Sequence, residues 1–426
     1  MAPPGPKRSR DLLEQPRRFW RSFRLAESPS VDTPDEVTHS SDLWDGNWDE
    51  VRDAWDLDPS RAHLNHGSFG AVPRLVRAAE THWRGLADAN PMHYYRTLLP
   101  PAIVSARAAA ADFLGTVQDA LALVSNTTAG VSTVLAALAL REGEEVLLTD
   151  HAYGAVALAV ARFAGAAGAQ VKAVKVPLTA TDEEVVRAVA DGITSRTRLV
   201  LIDQITSPTA RLFPVRRVAE EARARGVTVF VDGAHVPGML PVDVEALGAD
   251  FWVGNFHKWA FAGRSVAGLW VAPSWRPQIQ PLVVSWNEEQ RFPAAFDQQG
   301  TRDGAVWLAL PDALRFFESL EPERLRQYNN GLAAYGQSVV ASALGTSLDG
   351  VGGDPRLSMR LVALPRGVAD TGEAATALYE RISRDLHVEV AVTSWAGRGW
   401  LRLSAQAYNA PAEYERFAHG IAGLLR

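Results

Sequence analysis

The stretch VTVFVDGAHVPG, residues 227–238, followed by DFWVGNFHKWAFAGR, residues 250–264, decides the fold. Each begins as a short β-branched or aromatic run and each ends in polar residues with a glycine close by, the pattern of a buried strand that stops at a turn. Asp232 closes the first run, and Lys258 stands just past the second. In an α/β sheet the carboxyl ends of strands are where ligands gather. The same two positions that define the strands therefore carry an acid and a lysine to one edge of the sheet.

Working outward, short apolar runs alternate with longer helical stretches. Strands are predicted at 121–124, 145–148, 171–176, 199–203, 227–231, 251–253 and 268–271, with helices at 129–140, 155–166, 182–193 and 215–225. That order implies an α/β fold with a large, mostly parallel, seven-stranded sheet. A long helix is expected from 311, leading into a smaller α+β unit with strands near 357–364 and 400–404. The expected division is a tail at 1–40, a large domain at 41–310 with a short lead-in helix at 47–55, and a small domain at 311–426. Within the tail, 12–25 mixes Leu, Phe and Trp with arginines and reads as a helix packed on the protein's own dimer, a partner or a membrane surface.

Composition narrows the function. The 426 residues are 47% hydrophobic and 22% charged with a net charge of -6, which suits a globular enzyme and gives no reason to expect nucleic acid. There is no cysteine, which removes disulfides, thiolate metal ligands and sulfur-carrying cysteines together. The residues call for no metal. No apolar stretch is long enough to span a bilayer and residues 1–24 hold no hydrophobic signal core, so a cytoplasmic protein is expected.

An acid and a lysine at strand ends, with a further helix start nearby, match the needs of pyridoxal phosphate (PLP). That cofactor requires a lysine for its aldehyde, an acid at its pyridine nitrogen, donors for its phosphate and a face for its ring. Asp232 can keep the ring nitrogen protonated, although a strand-end Asp also caps turns. Lys258, between His257 and Trp259, would be desolvated and lowered in pKa, although a lysine can also snorkel to the surface. SNTTAG at 125–130 joins a strand to an Ala-rich helix, so its amides with Thr127 and Thr128 form a phosphate cradle or a plain N-cap. His235, three residues after Asp232, can reach the ring's phenolic oxygen.

From about residue 62 onward the chain resembles the class V aminotransferases, in particular their isopenicillin N epimerase-like branch. The resemblance rests on HLNHGSFG (63–70), DHAYGAV (150–156), ITSPTARLFPV (205–215), VDGAHVPG (231–238), FHKW (256–259) and GTRD (300–303). It implies the aspartate aminotransferase fold and assigns Lys258 as the Schiff-base lysine, Asp232 as the pyridinium partner and His235 as the phenolic-oxygen contact. It assigns His151 as the stacking residue, with Tyr153 second. Thr127, Thr128, Asn255 and His257 would hold the phosphate, and Ser207 would also touch the cofactor. Arg402, in LRLSAQAYN, would clamp the substrate carboxylate through a bidentate guanidinium. Asn65, His66 and Ser68, with Tyr94, Tyr95 and Arg96, are further substrate-contact candidates.

Relatives of this family that transfer sulfur use a mobile cysteine, and the matching stretch here, 393–400, holds Ser, Trp and Gly instead. The expected activity is a C–S lyase acting by β-elimination on a cysteine S-conjugate in thiol or antibiotic metabolism. The branch includes hercynylcysteine sulfoxide lyases and PLP enzymes of lincosamide pathways. An epimerase, a decarboxylating deaminase, an aminotransferase and a catalytically silent scaffold are the alternatives. Thr301 falls in the GT motif that in relatives reaches the neighbouring subunit's phosphate, so a homodimer with shared sites is expected. The aromatic residues Trp275, Trp286, Phe292 and Phe296 would bury against the second copy or roof the chain's own cleft.

Overall fold

The computed structural model describes residues 48–351 and 353–426. The tail at 1–40 and the amphipathic stretch at 12–25 lie outside the described residues. The described residues begin with α1 (Trp48–Arg52), β1 (Ala62–His63) and a single turn α2 (His66–Phe69), followed by α3 (Arg74–Ala89) and α4 (Leu99–Phe113). The sheet region then runs β2 (Leu121–Val124), α5 (Thr127–Ala137), β3 (Glu145–Thr149), α6 (Gly154–Ala167), β4 (Gln170–Val174), α7 (Asp182–Gly192), β5 (Thr197–Asp203), α8 (Val215–Arg223), β6 (Thr228–Asp232), β7 (Phe251–Asn255) and β8 (Ala267–Val271).

These strands make one seven-stranded sheet in the order β2-β8-β7-β6-β5-β3-β4, parallel from β7 through β4, with β8 antiparallel to both neighbours. The sheet is the one expected from the sequence, with ends shifted by one or two residues. Val229, Val231, Trp252 and Val200 pack into one core cluster and Phe230, Phe251, Val253 and Leu201 into another, so alternate side chains of each strand serve opposite faces. Local signals fix the helix starts. Thr181 and Glu184 form a capping box before α7, and the Asn126 side chain accepts from Ala129 N at 2.9 Å to start α5. Gly130 lets α5 lie directly on β7, because a Cβ there would come within 2.7 Å of Val253 Cγ2.

Beyond the sheet, the expected single long helix is two: α9 (Leu310–Ser319) and α10 (Pro322–Leu344), broken where Glu321 takes a left-handed conformation. The rest is β9 (Met359–Ala363), α11 (Gly372–Leu386), β10 (Val388–Glu389), β11 (Ala391–Trp395), β12 (Arg398–Ser404) and α12 (Pro411–Leu424). Sequence reading missed β10 and β11. β11 pairs with β12 and β12 with β9, all antiparallel. The lead-in segment joins this unit: β1 pairs with β10, and Trp48, Val51, Trp55 and Leu64 share a core with Phe317, Leu401 and Tyr414. That carries residues 64–70 to the seam between the sheet and β12. Among the described residues no helix is long and apolar enough to cross a membrane.

Candidate active site

The ends of β5, β6 and β7 open into a cavity of about 200 Å³ lined by Thr127, Thr128, Asp203, Asp232, His235 and Lys258. Asp232 is 2% exposed and its Oδ1 accepts from Ala234 N at 2.9 Å. Burial raises its pKa to about 6, opposed by that amide and by the Lys258 charge. Lys258 moves the other way: burial first, then the Arg402 charge, lower it to about 7, against the pull of Asp232 and Asp203. Its Nζ lies 3.2 Å from His235 Nε2.

The His235 ring is held neutral by burial, with Lys258, Arg402 and His257 adding to the effect. Trp259 Nε1 can only donate, and it lies 3.4 Å from His235 Nδ1, so Nδ1 accepts and the ring proton sits on Nε2. That proton points at the Lys258 amine. His257 also lines the cavity; burial, then the charge of Lys258, lowers its pKa to about 4, and its Nδ1 donates to Val266 O. Gly70, at φ 56°, passes so close beneath that a Cβ would strike the His257 carbonyl oxygen at 2.1 Å.

At the start of α5 the Asn255 side chain accepts from Thr127 N at 2.9 Å. Asn255 therefore braces the cradle as well as lining it. Thr127 Oγ1 is buried without a hydrogen-bond partner. An orphaned hydroxyl beside a helix N-terminus fits a phosphate oxygen.

A second cavity of about 480 Å³ adjoins the first and shares Ser68, Tyr153 and Ser207 with it. Arg402, 4% exposed, comes up into it from β12. Its Nη1 donates to Ser207 O at 2.7 Å and Oγ at 3.1 Å, and its Nη2 to Asn65 Oδ1 at 3.0 Å and Ser68 Oγ at 3.1 Å. Its Nε is buried and unpartnered. Burial lowers its pKa to about 10, which leaves it charged at neutral pH.

Three sequence expectations come out differently. His151 lies outside both cavities: it is fully buried, Nε2 donates to Val176 O and Nδ1 accepts from Thr209 Oγ1, both at 2.6 Å, and the ring packs on Trp395 at 4.6 Å. With both nitrogens engaged the ring is part of the wall, and Tyr153 is the residue of that motif that lines both cavities. His66 is likewise turned away from substrate, pinned by Tyr408 Oη at 2.8 Å and Lys258 O at 2.9 Å, so it fixes the lysine's backbone. Tyr94, Tyr95 and Arg96 sit in or beside a π-helical turn remote from Arg402; Tyr94 is core, Arg96 is exposed, and Tyr95 lines a third cavity.

That third cavity, about 580 Å³, also holds Thr301, Arg302 and Trp286, and none of its lining is shared with the first two. Of the four aromatic residues expected to seek another surface, Trp275, Phe292 and Phe296 bury in the chain's own core, and Trp286 stays 89% exposed. Two cavity residues escaped the sequence reading. Asp203 closes β5 as Asp232 closes β6, and the same strand-end logic could have found it. Trp395 lies on β11, a strand whose pattern is too weakly alternating to be read.

The class V aminotransferase family model matches residues 72–417. The chain belongs to that family. Class V aminotransferases work with PLP. The chain is 33% identical over 397 residues to the isopenicillin N epimerase of Streptomyces clavuligerus, covering 89% of this chain and 98% of that one. It is 31% identical over 404 residues to a putative L-cysteine desulfhydrase of Oryza sativa subsp. japonica, covering 85% and 83%. Among solved structures, a cysteine desulfurase from Thermococcus onnurineus superposes with a TM-score of 0.72 at 17% identity, over 88% of this chain and 97% of that one. A cystine C–S lyase in complex with cysteine persulfide gives 0.72 at 19%, over 85% and 98%. At those identities the likeness speaks for the fold: this class V chain has the architecture of fold type I PLP enzymes.

Proposed function

We propose that the protein is a PLP-dependent C–S lyase that eliminates a thiol from the β-carbon of a cysteine S-conjugate. Lys258 would hold the cofactor aldehyde, Asp232 the proton at the ring nitrogen, and Thr127 and Thr128 the phosphate. Bound there, PLP supplies the electron sink for the charge left at Cα. Arg402 would take the α-carboxylate in exchange for Asn65 and Ser68. Lys258, whose lowered pKa of about 7 leaves a substantial share of the free amine at neutral pH, would remove the Cα proton. The Cα electrons expel the sulfur, which leaves with the C–S pair and takes a proton, so that with one water the products are thiol, pyruvate and ammonia.

The observation that carries this reading is the 3.2 Å contact between Lys258 Nζ and His235 Nε2. The neutral His235 N–H orients the Lys258 amine, and one amine held there suits elimination: it takes the proton that Cα loses and, as the ammonium, returns it to the leaving sulfur. No cysteine exists in the chain to accept sulfur, and the hairpin at 393–400 holds Trp395 over His151 instead. Epimerisation is the second reading, supported by Tyr153, whose hydroxyl is a further proton carrier between the two cavities. The test supplies holoenzyme with cysteine S-conjugates and ordinary amino acids and follows thiol, pyruvate and Cα–deuterium exchange. Thiol and pyruvate in equal amounts support the lyase. Exchange without product removes it in favour of the epimerase.

The active unit in this proposal is a homodimer. Leu282, Val283, Val284 and Trp286 are 50%, 51%, 70% and 89% exposed in one short segment beside Thr301. A contiguous apolar patch on that scale favours a protein partner, and a two-fold copy is the commonest solution.

A further inference from the structure

β5 and β6 end side by side in the same residue. Asp203 and Asp232 are register partners, 3% and 2% exposed, and both line the inner cavity. Parallel strands run about 4.8 Å apart, so the two side chains leave adjacent strand ends into one cavity, and two buried carboxyls so placed resist ionising together. The groups around them decide which one keeps the charge. Asp232 is anchored by the Ala234 amide at 2.9 Å and feels the Lys258 charge. Asp203 is pushed well above the usual carboxylate range by burial and then by Asp232, opposed by the amides of Asp203 and Tyr153 and by Lys258. The two histidines lining the cavity, His235 and His257, are both held neutral by burial, and the Tyr153 phenol lines it as well.

We propose that Asp203 is the proton-bearing partner of Asp232, a positioning residue that keeps the pair at a single negative charge and steadies the Tyr153 turn. One negative charge on the floor matches one positive charge on a protonated ring nitrogen. A second would be left without a partner and would draw a proton onto Lys258, spoiling it as a base. The neutral acid at Asp203 prevents both. This inference rests on the cofactor reading for its spectral test alone.

The first test compares thermal midpoints of wild type and Asp203→Asn without added PLP. A carboxyl raised in the folded state stabilises fully below its unfolded pKa of about 3.9, and that contribution is lost as pH rises toward the folded value. Asn stays neutral, so the variant's advantage should be near zero at about pH 4 and grow as pH rises above it. A difference that does not change with pH overturns the proposal. In the second test PLP is added. Asp203→Val should retain it, read from its absorption band, at least about tenfold more weakly, and Asp203→Asn, which keeps a neutral polar group in place, should restore retention. Retention by Asp203→Asn as weak as by Asp203→Val overturns the proposal. If wild type takes up no PLP, the cofactor reading fails, and the thermal comparison still decides the carboxyl pair.

Discussion

The inner cavity and the cavity beside Thr301 were both pointed to by motifs of one family, yet they are built differently. The inner one is lined by tightly engaged side chains: Asp232 and His235 are buried, Lys258 is half-buried, Arg402 is buried in the adjoining cavity, and each has a partner or an opposing charge. The one beside Thr301 is open. Arg107 pairs with Asp297 in its wall, but Thr301 and Trp286 are exposed among the described residues. Desolvation tunes acids and bases in the first. The second offers exposed surface, which the proposed homodimer would cover.

The sharpest way to break this contrast is Lys258→Ala. We expect a folded protein with no borohydride-sensitive absorption band and turnover down by at least about a thousandfold, since covalent attachment and the base are lost together. Activity near wild type would mean that the inner cavity is not the centre. Arg402→Leu should come next. It leaves Asn65, Ser68 and Ser207 without their charged donor, and a charge-assisted contact of about 2 kcal/mol predicts roughly a thirtyfold loss in kcat/KM, carried by KM. An unchanged KM would place the substrate carboxylate elsewhere.

Trp286→Ala tests the outer region. Removal of an exposed aromatic anchor should weaken self-association by at least about 2 kcal/mol, roughly thirtyfold in Kd by sedimentation. Mixing Lys258→Ala with Thr301→Arg chains should restore about one working site per heterodimer, because each pair then holds one intact lysine facing one intact threonine. A fully active monomer would show that the outer cavity belongs to its own chain. The smallest effect is the pH dependence of PLP uptake by the apoprotein. Lys258 attacks as the free amine, so with its pKa near 7 the rate should fall about tenfold per unit below that value and level off above it. A slope that continued to pH 10 would give Lys258 an ordinary amine and would deny its burial.

The inner site was largely legible because its signals are local. Asp232 and Lys258 each follow a β-branched or aromatic run, and a strand's end is also where its ligand-facing residue stands. His151 misled because sequence position cannot say which way a ring turns; Thr209 and the Val176 carbonyl, far along the chain, take both of its nitrogens. His66 misled for the same reason, with Lys258 O and Tyr408 as the distant partners. Asp203 was passed over although its strand was drawn correctly to that residue. Its interest arises only from lying beside Asp232 in the sheet.

By itself, then, the sequence determined the sheet, its helices, the family and the lysine and acid at strand ends, since hydrophobic period and turn residues are properties of neighbours along the chain. Tertiary structure alone decided that β1 leaves its neighbours to pair with β10, that Arg402 meets Asn65 and Ser68 across more than three hundred residues, and that two aspartates share one buried floor. Those depend on which strands pair and what solvent they exclude, and burial, which sets the charge of Lys258, Asp232 and Asp203, exists only once the chain has closed around them.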